Sequence, residues 1–293
     1  MRTTITLGGV DVPCFELGSG SPWVSVLGGI HGCEYSSIAA VTRIMRELET
    51  EDLRGTVVGV PVVSMRSFVE RSPFVVPEDG KNLNRAFPGD PDGTYTDRLA
   101  HDIFTHLIEP ADAVLDLHGG DLVEALEPFA LYHDNARELA LAFGLPYVVD
   151  STGSLEGSTS GAAAAVGTLG VLAEAGGIGQ LTEDAVSLLS GGARKALRYL
   201  NVLDGDPPPS TSHVVSRFEW LYSAPGGFWV AQVKTGQQVA RGQTLGEIRD
   251  LYGEVLETIE APEAGVVLFL TTSAAVAENG LLLGLGCDER GGA

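Results

Sequence analysis

Between Trp23 and Leu203, short β-branched runs alternate with amphipathic helical stretches, which restricts this part of the chain to an α/β architecture built on a largely parallel sheet. Residues 23–27 (Trp-Val-Ser-Val-Leu) read as a buried strand that stops at Gly28-Gly29, and Ile38, Val41, Ile44 and Met45 then recur at helical spacing across residues 36–48. Residues 56–63 form a second β-rich run. Further strands are expected at 113–117, 129–132, 147–150 and 171–173, with helices at 95–107, 135–143 and 182–203. Residues 64–94 contain Pro73, Pro77, Pro88 and Pro91 and read as a loop longer than a passive connection.

Three consecutive prolines in the stretch 204–212 (Asp-Gly-Asp-Pro-Pro-Pro-Ser-Thr-Ser) stop a helix and favour an extended spacer, so a boundary is placed there. This divides the chain into a catalytic domain at 1–205 and a β-rich domain at 213–293. The second region is short β-rich runs punctuated by glycine, with little helical periodicity.

Composition narrows the function classes. A formal charge of -21, from 39 acidic against 18 basic residues, disfavours nucleic acid and anionic membranes as partners. No apolar run reaches the ~20 residues needed to cross a bilayer, and the first residues alternate apolar with polar where a signal peptide needs an apolar block, so a cytoplasmic protein is expected. Cys14, Cys33 and Cys287 form no CxxC pair, which speaks against a disulfide framework or a thiolate zinc cluster.

In carboxyl-end geometry, residues that follow parallel strands converge on one rim of the sheet. His31 and Glu34 follow the first strand, His118 the strand at 113–117, and Glu174 the strand at 171–173. Catalytic zinc takes three N or O ligands and leaves a position for water, which His31, Glu34 and His118 satisfy. Glu174, a lone acid among small apolar neighbours, is suited to act as general base. Asp116 points the same way as His118 and suits a carboxylate that orients a ligand histidine. Asn84 and Arg85 offer an amide and a planar guanidinium for a substrate carboxylate, with Arg66, Arg71, Lys81 and Arg98 as further cations near this loop.

The segments Gly28-Gly29-Ile30-His31-Gly32-Cys33-Glu34, Asp79-Gly80-Lys81-Asn82-Leu83-Asn84-Arg85, Asp116-Leu117-His118-Gly119-Gly120 and Glu174-Ala175-Gly176-Gly177 together resemble the succinylglutamate desuccinylase and aspartoacylase family. That resemblance implies a zinc carboxypeptidase-like domain whose mixed, largely parallel sheet is flanked by helices, plus a small all-β C-terminal domain. It implies one zinc ion per chain on His31, Glu34 and His118, a base at Glu174, and recognition of the substrate carboxylate by Asn84 and Arg85. Members often carry another arginine shortly before the Asp-Gly segment, thought to polarise the scissile carbonyl. Ser72 and Phe74 stand there in this chain, so Arg71 or Arg66 is expected to substitute, with Arg71 taken as a substrate-binding residue. The C-terminal region looks like a barrel-sandwich hybrid of the lipoyl type, but residues 250–254 (Asp-Leu-Tyr-Gly-Glu) contain no lysine for a swinging arm.

The function expected is therefore zinc-dependent hydrolysis of the amide of a small N-acylated amino acid, in preference to peptide bonds. The nearest rival is a zinc carboxypeptidase-like peptidase acting on short peptides. A non-catalytic zinc-binding module is the third reading. The sequence leaves the homo-oligomeric state open.

Overall fold

The structure is a computed structural model that describes residues 1–288. Its largest sheet has nine strands, and five of them stand in the N-terminal stretch: β1 (Arg2–Leu7), β2 (Val10–Ser19), β3 (Trp23–Leu27), β4 (Gly55–Val60) and β5 (Ala113–His118). A short β6 (Glu124–Leu126) precedes β7 (Phe129–Tyr132), β8 (Tyr147–Asp150), β9 (Leu169–Glu174) and β10 (His213–Val215). The order across the sheet is β1-β2-β4-β3-β5-β9-β7-β8-β10. β3, β4, β5 and β9 run parallel, as do β7, β8 and β10, while β1–β2, β2–β4 and β7–β9 are antiparallel. The sheet is mixed, as expected, because β2 at one side and the block β7, β8 and β10 at the other run against β3, β4, β5 and β9.

Helices cover both faces. α1 (Tyr35–Leu48), α4 (Arg137–Phe143) and α6 (Glu183–Tyr199) bury Ile44, Met45, Phe143 and Leu189 against Val24, Val26, Leu115 and Val171. On the opposite face, α3 (Tyr95–Ile103) and α5 (Thr159–Ala165) pack Leu99, Ile103 and Ala163 against Leu27, Val60 and Val114. Thr94 and Asp97 close the N-terminus of α3 with a reciprocal capping box. The stretch 64–94 differs from a pure loop: it holds α2 (Met65–Glu70) and a 3₁₀ turn at Leu83–Arg85, because Ser64 and the apolar Met65 and Phe68 allow one short helix before the prolines begin.

Strand alternation decides where chemistry points. Along β5, Ala113, Leu115 and Leu117 enter the α1/α6 core, so Asp116 and His118 face the other way, together with Val114. Along β9, Val171 and Ala173 enter the same core and Glu174 faces away. β5 and β9 are paired so that His118 stands opposite Glu174.

The C-terminal region builds two antiparallel sheets. One contains β11 (Arg217–Tyr222), β13 (Gln238–Val239), β16 (Gly265–Thr271) and β18 (Leu281–Cys287); the other contains β12 (Gly227–Ala231), β14 (Thr244–Arg249), β15 (Val255–Glu260) and β17 (Ala275–Val276). Trp229, Leu245, Ile248, Val267 and Leu283 form the core between them. The two regions exchange strands across the proline spacer. β10 lies past the spacer yet pairs with β8 at the edge of the large sheet, and β6 lies before it yet pairs with β16, Leu126 opposite Phe269. The hairpin between β14 and β15 turns through Leu251 and Tyr252, both highly exposed and neither a carrier lysine.

Candidate metal centre

The loop after β3 must reverse within a few residues and pass close to α2. Gly29 adopts φ +63, and a Cβ on Gly32 would lie 2.2 Å from the backbone of Ser67 and Phe68, so neither position accommodates an ordinary side chain. That tight path delivers His31 to the rim and starts α1 with Glu34 as its N-cap residue. The Glu34 side chain caps nothing. It points instead between two histidines, with Oε1 2.6 Å from His31 Nδ1 and Oε2 3.0 Å from His118 Nδ1.

His31, Glu34 and His118 are all buried, and their ligand atoms lie within 4.8 Å of one another. Each histidine is locked from behind. His118 Nε2 lies 2.9 Å from Asp116 Oδ2, and His31 Nε2 lies 3.0 Å from Asn82 Oδ1. A proton held on each Nε2 leaves both Nδ1 lone pairs facing the same point, which is the tautomer a metal needs. Asp116 is held in turn by the Thr159 hydroxyl, which donates to its Oδ2. Two imidazole nitrogens and a carboxylate form a donor set suited to a divalent cation such as zinc.

Electrostatics agree with that donor chemistry. Burial opposes charge on all three groups, yet the mutual attraction wins: the histidines hold the Glu34 carboxyl well below the usual carboxylate range, and Asp116 and Glu34 raise His118. Glu34 likewise raises His31. Glu174 behaves oppositely, since burial pushes its carboxyl up to about 8 and its Oε2 is buried without a hydrogen-bond partner. Burial also raises Glu124, to about 7.

These groups line a cavity of about 190 Å³. Asn84 and Arg85 are on its wall, as is Phe74, whose ring stacks on His31 with centroids 5.2 Å apart and planes inclined by 25°. The Asn84 carbonyl oxygen Oδ1 accepts from Thr159 N–H at 2.9 Å, and Arg85 donates through Nη1 to the Asn84 backbone carbonyl at 2.6 Å. Asp79 pins the base of this loop to α3 by accepting from Thr94 Oγ1 at 2.6 Å and Thr96 N–H at 2.9 Å.

The structure thus brings together His31, Glu34, His118, Glu174, Asn84 and Arg85. It does not bring Arg71 to the cavity wall. Arg71 is exposed and occupies the left-handed C-cap of α2 with φ 54, its N–H returning to Phe68 O and Ser67 O. Arg66 is also elsewhere, paired with Glu78 at 2.8 Å and lying over the Tyr95 ring. Asn82 as the partner of His31, Thr159 as the joint support of Asp116 and Asn84, and Phe74 as a wall residue emerge only in the folded chain. The strand-facing parity of 114, 116 and 118 was a usable signal for Asp116; no local signal marks Thr159.

The catalytic domain description of succinylglutamate desuccinylase/aspartoacylase matches residues 21–200. N-alpha-acetyl-L-2,4-diaminobutyric acid deacetylase of Halomonas elongata is 32% identical over 260 residues, which cover 83% of this chain and 75% of that protein. The chain belongs to the succinylglutamate desuccinylase/aspartoacylase family. Among solved structures of similar fold, the product-bound ectoine utilization protein EutE (DoeB) of Ruegeria pomeroyi has a TM-score of 0.86 at 24% identity, covering 98% of this chain and 94% of that one. A succinylglutamate desuccinylase from Silicibacter sp. TM1040 has a TM-score of 0.82 at 26% identity, covering 94% and 89%. Both coverages are wide enough to include the C-terminal sheets, so the two-region architecture is shared with these structures. Phe74, one of the two positions at which the resemblance implied an arginine, stacks its ring on His31.

Proposed function

We propose that the protein is a zinc-dependent deacylase that hydrolyses the amide of a small N-acylated amino acid, with one zinc ion held by His31, Glu34 and His118. The observation that carries this reading is the opposed pair on β5 and β9: a ligand histidine with its outer nitrogen locked, and beside it an unpartnered, buried glutamate. Zinc bound there supplies a Lewis acid that activates water and polarises the amide carbonyl. Everything else falls to the chain. Glu174 Oε2 takes a proton from the attacking water as the new C–O bond forms, and returns it to the amine nitrogen as the C–N bond breaks. Burial suits it to both roles, since a carboxyl raised above the ordinary carboxylate range is a stronger proton acceptor when ionised and still acidic enough to return the proton to the leaving nitrogen.

Arg85 and the amide nitrogen of Asn84 hold the carboxylate next to the leaving nitrogen. The Asn84 carbonyl oxygen is committed to Thr159, which fixes the amide with its NH₂ free of protein partners among the described residues. Asn82 and Asp116 keep both ligand rings in one tautomer throughout. Apolar walls exclude bulk water from the proton transfer. The relative from Halomonas elongata is named for deacetylation of an acetylated diamino acid, which supports an acyl group as small as acetyl. No helix is long and apolar enough to cross a membrane among the described residues.

The test is turnover by zinc-loaded protein against N-acetyl amino acids and unblocked dipeptides. Release of acetate in preference to dipeptide cleavage is expected. Efficient dipeptide cleavage with intact N-acetyl amino acids would make the protein a peptidase. Absence of turnover on both, with stoichiometric zinc, would leave the non-catalytic reading.

A further inference from the structure

The cavity has an unbalanced inventory of charge. Among the described residues on its wall, Arg85 is the one lysine or arginine, whereas Glu124 and Glu174 are acids in addition to the ligand Glu34. Glu124 enters on β6, opposite Thr271 of β16, and its Oε2 accepts from the Asp121 N–H at 3.0 Å. Glu124 has no lysine or arginine partner on the wall other than Arg85, the one such residue there. Much of the remaining wall is carbon, contributed by Leu126, Phe129, Leu131, Trp220, Phe269 and Leu281. The aromatic part is braced, with Trp220 against Phe218 at 4.3 Å and edge-on to Phe269 at 5.4 Å.

A substrate carboxylate placed on Arg85 uses the one guanidinium or ammonium group among the described wall residues. Away from the metal centre a second carboxylate finds no such partner, since it meets either Glu124, where like charges repel, or rings and alkyl groups, where it loses water without compensation. We propose that Glu124 and the aromatic wall restrict the substrate to N-acyl amino acids with a single free carboxylate, and so exclude N-acetylaspartate and N-succinylglutamate, the polycarboxylates for which the family is named. Trp220, Phe269 and Leu281 come from β11, β16 and β18, and Glu124 and Leu126 from β6, which pairs with β16, so the C-terminal sheet containing β16 supplies part of the selecting wall beside Phe129 and Leu131 of the large sheet. This selection rests on the deacylase reading above for its account of Arg85.

Calorimetric titration of metal-loaded Glu174→Gln protein at pH 8 reads selection without turnover. N-acetyl-L-methionine and N-acetyl-L-2,4-diaminobutyrate are expected to bind at least about tenfold more tightly than N-acetyl-L-aspartate and N-succinyl-L-glutamate. Glu124→Gln in that background should narrow the gap. Tyr222→Arg adds a second cation on the wall close to Arg85, at a position 55% exposed that tolerates substitution, and serves if the Glu124 variant fails to fold. It should raise affinity for N-acetylaspartate by about tenfold or more, with little change for N-acetylmethionine. Equal or tighter binding of the two polycarboxylates by the Glu174→Gln protein overturns the inference. Wild-type turnover separates the two readings: preferred hydrolysis of a polycarboxylate removes the selectivity and leaves the deacylase, whereas the expected binding order with no hydrolysis removes the deacylase and leaves the selectivity.

Discussion

His118 and Glu174 stand directly opposite each other on adjacent parallel strands, so the last residue of each strand delivers its side chain to the same face of the sheet. A candidate ligand ring and an unpaired carboxyl are thereby held in register by backbone hydrogen bonds. Glu174→Gln keeps the shape and removes the proton acceptor. Metal content should be unchanged while kcat falls by ~10²–10⁴-fold. Full activity in this variant, measured on the best N-acyl substrate, would require another base.

Metal binding should follow the donor set closely. His31→Ala and His118→Ala are expected to lose stoichiometric zinc, and Cys33→Ala to keep it, because the Cys33 thiol is buried and burial pushes it up, away from the thiolate form. Asp116→Asn should weaken zinc by about 10–100-fold through loss of the orienting hydrogen bond on His118. Elemental analysis and chelator competition on purified variants check both statements. Normal zinc in both histidine variants would remove the proposed centre.

Arg85→Ala should lower kcat/KM by about one to two orders of magnitude, since one charge-assisted hydrogen bond carries roughly 1.5–3 kcal/mol. Converting the substrate carboxylate to a carboxamide should impair the wild type by a similar factor and add little in the variant, because both changes remove one contact. Fully additive losses in that cycle would show that Arg85 holds something else.

Asp79 links the loop that carries Asn84 and Arg85 to α3 and carries a pH signature. Burial raises its carboxyl, but hydrogen bonds from Thr94 and Thr96 outweigh this and hold it at about 2, below its ordinary 3.8. A group depressed in the folded state contributes stability above its unfolded pKa, and that stability is lost as pH falls through 3.8 towards 2. Asp79→Asn should cost roughly 1–2 kcal/mol at neutral pH after allowance for solvent screening, as read by denaturant unfolding. The difference between variant and wild type should shrink as the pH drops towards 2. A constant difference across that range would place the effect of Asp79 outside its ionisation.

The α/β class, the strands at 23–27, 129–132 and 147–150, the all-β C-terminal region and the residues His31, Glu34, His118 and Glu174 were legible in the amino-acid sequence. Each rests on a pattern spanning a few neighbouring residues: alternation along a strand, apolar spacing along a helix, or a polar residue just past a strand end. Tertiary structure alone decided the rest. Asn82 reaches His31 across 51 positions, the Thr159 N–H reaches Asn84 across 75, and the Thr159 hydroxyl reaches Asp116 across 43. Arg71 stands in the expected stretch, but a left-handed C-cap at the end of α2 leaves it exposed and off the cavity wall. The exchange of β6 and β10 between the two regions, which brings Trp220 and Phe269 to the cavity, has no local signature, because strand pairing is satisfied by backbone groups that every residue carries. Which partner satisfies them is chosen by the packing of the whole chain.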